Sequence, residues 1–159
     1  LVFSYPAFKR FTYWPQFILG LTFNWGALMG WVAITGKVDF ICLALYVAGI
    51  FWTLGYDTIY AHQDKTDDEI IGVKSSALAL GDKTKPFIYI VYSLTITGIL
   101  LIGWMNLFEI PFFIFCLIAL SQLIWQIYTV NINEPSDCLK KFKSNRLFGL
   151  LITIAIFLG

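Results

Sequence analysis

Five of the ten acidic residues of this 159-residue chain lie in the thirteen positions from Asp57 to Glu69: Asp57, Asp64, Asp67, Asp68 and Glu69. The stretch reads Tyr56-Asp57-Thr58-Ile59-Tyr60-Ala61-His62-Gln63-Asp64-Lys65-Thr66-Asp67-Asp68-Glu69. On one continuing helix Asp57, Asp64 and Asp68 fall within about 40° of one another, flanked by Tyr60 and Ala61. Asp64 and Asp68 are then separated by about 6 Å along the axis, and Asp57 lies about 10 Å deeper. The run before them is apolar, so the stripe begins inside a membrane, where ionised groups are costly unless paired or solvated. Three carboxylates on one stripe repel each other unless a cation sits among them. The donors are hard oxygens, with no thiolate and one optional imidazole, which suits Mg²⁺ better than zinc or copper. Mg²⁺ takes one or two carboxylates and completes its shell with water and phosphate oxygens. With Lys and Arg on the remaining oxygens, the pattern points to a diphosphate.

Plainer readings compete at several of these positions. A charge run leaving a membrane is often a solvated loop. Thr66-Asp67-Asp68-Glu69 has the form of a capping box, so Asp67 and Glu69 could simply start a short helix over 67–80. A break near Lys65 would weaken the place of Asp68 on the stripe. His62, the one histidine, is expected to be solvated or to support the site rather than bind metal. Asp39 and Asp82 read as helix caps.

The elements that must carry these residues are membrane spans. The chain is 58% hydrophobic and 13% charged, with mean hydropathy +0.75. A soluble chain carries about 25% charged residues. Apolar runs occupy roughly 16–35, 40–60, 87–105, 110–130 and 147–159, near the ~20 residues that a helix needs to cross a bilayer. Pro15, Pro86 and Pro111 fall in first turns, Asp39 precedes the second run, and Ser144 or Asn145 is expected to cap the fifth. Segments 1–15, 61–86 and 131–146 hold ten of the eleven basic residues, Lys37 being the other. Short cytoplasmic loops collect Lys and Arg, so loop 61–86 is expected to face the cytoplasm. A net charge of +1 excludes the basic footprint of nucleic-acid binding. Cys42, Cys116 and Cys138 form no C-x-x-C pair, which argues against a disulfide framework or thiolate zinc site. Leu1 and the short fifth run are what a portion of a longer chain would show.

The form D-x-x-Y-A-x-x-D-x-x-D-D over Asp57–Asp68, followed by Ile71-Gly72-Val73-Lys74-Ser75, resembles the second Asp-rich motif of the UbiA superfamily. These are intramembrane aromatic prenyltransferases, and the 4-hydroxybenzoate polyprenyltransferase branch is the most similar. The segment Tyr5-Pro6-Ala7-Phe8-Lys9-Arg10-Phe11-Thr12-Tyr13-Trp14-Pro15-Gln16, with Leu19-Gly20, Phe23 and Trp25 after it, resembles that branch ahead of and along its fifth helix. The resemblance implies an all-α polytopic bundle, of which this chain would supply the last five of nine helices. It implies a polyprenyl diphosphate donor, a 4-hydroxybenzoate acceptor, a 3-polyprenyl product in ubiquinone biosynthesis, and Mg²⁺. Asp64 and Asp68 match the metal-binding Asp-x-x-x-Asp, with Asp67 supporting through water. Asp57 and Tyr60 match positions near the acceptor. Arg10 and Lys74 match basic positions for the diphosphate or benzoate carboxylate, with Lys9 beside them.

One part of the pattern is missing. The family holds two Mg²⁺ between two Asp-rich motifs, and its first, N-D-x-x-D-x-x-x-D, does not occur here; Asn131-Ile132-Asn133-Glu134 lacks the aspartates. The chain alone is therefore expected to be half a site, inactive without the N-terminal helices. Asn24 is expected to make an interhelical hydrogen bond, while Trp25, Trp31, Trp52, Tyr56 and Trp104 fit interface belts or core as well as a cavity wall. A bacterial cytoplasmic membrane is the expected location, with the mitochondrial inner membrane as the alternative. Other aromatic acceptors (naphthoate, homogentisate, haem), a divalent-cation transporter, and a non-catalytic quinone-binding subunit are the rival readings. Transport would place ionisable residues on several spans, and the other four are nearly uncharged.

Overall fold

With no water in a bilayer core, backbone N–H and C=O groups must pair within their own segment, which makes each apolar run a helix. The computed structural model describes residues 5–159; the first four residues assigned to the domain lie outside them. The helices are α1 (Tyr5–Phe11), α2 (Pro15–Phe23), α3 (Trp25–Thr35), α4 (Phe40–Gln63) and α5 (Lys65–Ile71). They continue as α6 (Ser76–Leu80), α7 (Thr84–Met105), α8 (Ile110–Thr129) and α9 (Pro135–Leu158), with a 3₁₀ turn at Gly81–Lys83. No strand occurs among the described residues. Four segments are long and apolar enough to span a membrane: Pro15–Thr35, Phe40–Gln63, Ser76–Met105 and Ile110–Thr129. The protein is an integral, all-α membrane bundle.

The first span is broken at Asn24. Its amide donates to the Gly20 carbonyl at 2.8 Å and, across the helix interface, to Thr53 Oγ1 at 2.9 Å, as expected of a polar group in an apolar run. Tyr46 Oη reinforces the joint by donating to the Leu21 carbonyl at 2.6 Å. Asp39 caps α4 by accepting from the Cys42 N–H at 3.1 Å. Asp82 does not cap: it lies inside the 3₁₀ turn, and α7 starts at Thr84 without a side-chain cap bond.

The fifth span differs most from expectation. α9 runs unbroken from Pro135, so the apolar run 147–159 is the second half of a longer helix. Ser144 and Asn145 are interior positions, not caps. Pro135 already starts the helix after Glu134, and the two polar side chains find partners elsewhere. Ser144 Oγ accepts from Gln122 at 3.1 Å and Gln126 at 2.9 Å, and Asn145 Oδ1 accepts from Trp52 Nε1 at 3.0 Å.

α4 is the central helix, packed against α2, α7 and α9, with α8 closing onto α7 and α9. In lipid such packing depends on close fit and interhelical hydrogen bonds rather than on a hydrophobic driving force. At the α4–α7 crossing, Gly55 lies directly under the Tyr92 ring, where a Cβ would overlap it. The Tyr92 hydroxyl continues to Gln126 Oε1 at 2.8 Å. The turns carrying the basic residues gather at one end, where Tyr60 of α4 meets Phe142 of α9 and Lys74 meets α1. At the other end the Glu109 N–H meets the Gly159 carbonyl.

Candidate active site

The Asp-rich stretch is not one helix. α4 stops at Gln63, Asp64 adopts φ −99°, ψ 5°, and α5 starts at Lys65. The single three-carboxylate stripe is therefore broken, and among the described residues no three Asp, Glu, His or Cys side chains gather to hold a metal. A pair survives. Asp64 precedes α5 and Asp68 follows one turn on, its N–H donating to the Asp64 carbonyl at 2.8 Å. Asp64 stands just before the first turn of α5 and Asp68 within it. Asp67 is exposed.

The capping-box reading fails as well, since Thr66 lies within α5 and caps nothing. Nor is there one helix over 67–80. Gly72, at a left-handed φ of 77°, ends α5 by returning its N–H to the Asp68 and Glu69 carbonyls, a conformation that suits glycine. Non-helical residues 73–75 then lead to α6.

That turn docks α1. The Lys74 N–H donates to the Lys9 carbonyl at 2.7 Å, and Lys74 Nζ donates to the Phe11 carbonyl at 3.3 Å, 5.2 Å from the centre of the Tyr13 ring. A cation at a helix C-terminus is well placed for the free carbonyls there. With α1 so held, Lys9 Nζ stands 3.7 Å from Asp68 Oδ1. Asp68 is only 6% exposed, and its second oxygen, Oδ2, is buried with no hydrogen-bond partner. Asp57, on α4, is 8% exposed. The structure thus sets Lys9 against Asp68. Arg10 is exposed, and the ammonium of Lys74 is engaged on α1.

Below the carboxylates α4 presents an aromatic face. Tyr60 and Tyr56 pack on Phe142 with ring centres 4.8 and 5.6 Å apart, Tyr56 meets Trp52 at 5.3 Å, and Trp52 meets Phe148 at 4.9 Å. Trp52, Tyr56 and Phe142 wall an open cleft of about 500 Å³ that includes Lys143 and Arg146. A deeper, mainly apolar cleft of about 330 Å³ continues between Ala27, Leu45, Ala48, Ile99 and Ile152. Behind the wall, Thr58 and Ser76 hydroxyls pair at 2.9 Å and the Ser76 N–H reaches Gln16 Oε1 at 3.4 Å, tying α2, α4 and α6 together.

His62 is not solvated. It is 3% exposed, with Nε2 2.8 Å from Thr84 Oγ1. Thr84 itself donates to the Gly81 carbonyl at 2.7 Å, so the imidazole N–H is the donor to Thr84. The residue clasps α4 to the start of α7.

Comparison with known proteins bears on this geometry. The profile of the UbiA prenyltransferase family matches residues 1–152. The chain belongs to that family. The whole chain is 49% identical to 41% of the mitochondrial 4-hydroxybenzoate polyprenyltransferase of Drosophila melanogaster. It is 50% identical to 43% of the Homo sapiens protein of the same name. To 4-hydroxybenzoate geranyltransferase 2 of Lithospermum erythrorhizon it is 50% identical, over 99% of this chain and 52% of that protein. The chain thus spans between two fifths and about half the length of these relatives. No solved structure matches it.

Within this UbiA chain, the donor set has the chemistry for Mg²⁺. Carboxylate oxygens are what that ion takes from protein, and Asp68 Oδ2 is buried with no hydrogen-bond partner. Sequence reasoning missed the partners on α9, Phe142 and Asn145. Their signal was a polar residue inside a helix, which reads as a cap when no start is assigned at Pro135.

Proposed function

We propose that the full-length protein transfers a polyprenyl group from a polyprenyl diphosphate to the ring of 4-hydroxybenzoate, with this chain forming the half of the site around Asp64 and Asp68. The observation that carries the reading is the buried Asp68 carboxylate, with one oxygen near Lys9 and the other without a partner. The names of the fly, human and plant relatives support the acceptor.

Mg²⁺ held by Asp64 and Asp68, with Asp67 assisting through water, would supply charge stabilisation for the leaving diphosphate. Lys9 adds positive charge on the same side, and Arg10, exposed one residue on, can reach oxygens that Lys9 does not. Lys74 holds α1 so that Lys9 stays in place, and a direct contact with substrate would require it to leave Phe11. The aromatic face formed by Tyr60, Tyr56 and Trp52 excludes water from the allylic carbon and offers ring faces to a cation. Asp57 and Tyr60 orient the acceptor ring. The family's first Asp-rich motif would come from the N-terminal half of the full protein, and this portion alone is expected to be inactive. We place the protein in a mitochondrial membrane, as the names of the fly and human relatives suggest, rather than in a bacterial one. The product would then serve ubiquinone synthesis.

The test is Asp64→Ala and Asp68→Ala in the full-length protein. Each should cut Mg²⁺-dependent transfer by about 100-fold or more while leaving membrane insertion intact. Activity near wild type would remove the pair from the metal role.

A further inference from the structure

Residues 64–83 link α4 to α7 and carry Asp64, Asp67, Asp68 and Lys74. The two ends of this excursion are tied together by side chains. Thr84, fully buried, gives its hydroxyl to the Gly81 carbonyl at 2.7 Å. Its N–H goes to the same oxygen, which closes the 3₁₀ turn ahead of α7. Thr84 Oγ1 then accepts from His62 Nε2 at 2.8 Å, and His62 lies in the last turn of α4. Further out the excursion is held by Thr58 on Ser76 at 2.9 Å and by the Lys74 N–H on the Lys9 carbonyl at 2.7 Å. α5 is closed by bonds of its own, from the Asp68 N–H to the Asp64 carbonyl at 2.8 Å and from the Val73 N–H to the Asp68 carbonyl at 3.0 Å. The direction in which α5 sets out is therefore inherited from the end of α4, and that end is held at His62, two residues before Asp64. Burying an imidazole and a hydroxyl is costly unless they are bonded. A pair of aliphatic side chains would fill the same space without that cost, but apolar contact is non-directional and would fix no angle.

We propose that His62 and Thr84 are positioning residues for the Asp-rich turn, their hydrogen bond fixing the last turn of α4 and thereby the place of Asp64 relative to Asp68. This deepens the polyprenyl-transfer reading and rests on it. Each residue acts through the backbone between positions 62 and 64 rather than on substrate. Two carboxylates share one divalent ion only while their separation is held, and Mg²⁺ demands near-ideal octahedral geometry. The last carbonyls of a helix have no partners within it, so without the clasp α4 frays back from Gln63 and Asp64 moves with it. Asp68 keeps its own ties, to Lys9 and through the Val73 N–H. The clasp thus sets how firmly the pair holds a divalent cation, and through it the diphosphate, and leaves the chemical step unchanged.

The experiment uses full-length protein in nanodiscs. Mn²⁺ binding in the absence of donor is followed by electron paramagnetic resonance, and kcat and KM are measured for geranyl diphosphate with 4-hydroxybenzoate. Thr84→Val keeps the shape and removes the hydroxyl. It should weaken Mn²⁺ binding about tenfold, the lower end of what loss of a residue supporting a metal ligand costs. The donor KM should rise with it, while kcat at saturating Mg²⁺ and donor stays near wild type. Thr84→Ser keeps the hydroxyl and should bind Mn²⁺ as wild type does. His62→Leu should match Thr84→Val, and the double variant should be no worse than either. Should His62→Leu fail to insert, the two Thr84 variants still decide. A lower thermal midpoint with unchanged Mn²⁺ binding in Thr84→Val means that the bond only supports the fold, and overturns the proposal. A Thr84→Ser variant as weak as Thr84→Val overturns it too. Wild-type protein that binds no Mn²⁺, or binding that Asp64→Ala and Asp68→Ala leave untouched, overturns instead the metal-dependent reading beneath it.

Discussion

Lys9 and Arg10 are adjacent, alike in charge, and different in what they touch. Lys9 reaches Asp68 at 3.7 Å, whereas Arg10 is exposed. Replacing Lys9 with Gln should raise the KM for the diphosphate donor by about tenfold and weaken Mg²⁺ dependence less than loss of Asp68 does. Arg10→Gln should have the smaller effect of the two; steady-state kinetics on the full-length protein compare them. The sequence placed both residues beside the motif but could not rank them, because the choice depends on how Lys74 turns α1 toward α5. His62 shows the same limit. Its type allowed a solvated role, and only the approach of Thr84 buries it.

Helix breaks made the largest differences at the scale of the element. A helix continuing through Asp68 would have kept one stripe, but the chain turns at Asp64 and a new helix starts at Lys65, the break that weakens the place of Asp68 on it. A break of this kind has no strong signature in side-chain type, since Asp, Lys and Thr all tolerate a helix interior. Gly55 tests how far helix packing holds these positions. Gly55→Ala forces a methyl into the Tyr92 ring, which cannot retreat without losing its bond to Gln126. The expected cost is about 1–3 kcal/mol, seen as a lower thermal midpoint of the detergent-solubilised full-length protein. The expected Asn24 bond formed because a lone amide in an apolar run has few other solutions.

For the whole molecule, orientation is the testable property. Single cysteines replacing Glu69 and Glu134 should be modified by an impermeant maleimide from one side of the membrane, and those replacing Lys37 and Glu109 from the other. The native Cys42, Cys116 and Cys138 are buried and should contribute little background. Labelling at positions 69 and 37 from the same side would reject the alternation of spans.

Composition and apolar run length determined by themselves that the chain is a membrane helix bundle, because lipid permits few other solutions for a buried backbone. The motif from Asp57 to Asp68, with Ile71-Gly72-Val73-Lys74-Ser75 after it, carried the resemblance to the family whose profile matches the chain, since that order of residues survives any local bending. Tertiary structure alone decided that α1 folds back to bring Lys9 to Asp68, and that Trp52 leans on Asn145. Both depend on contacts between segments far apart in the chain, such as the ninety-three positions between Trp52 and Asn145, and helical periodicity carries no information across such distances.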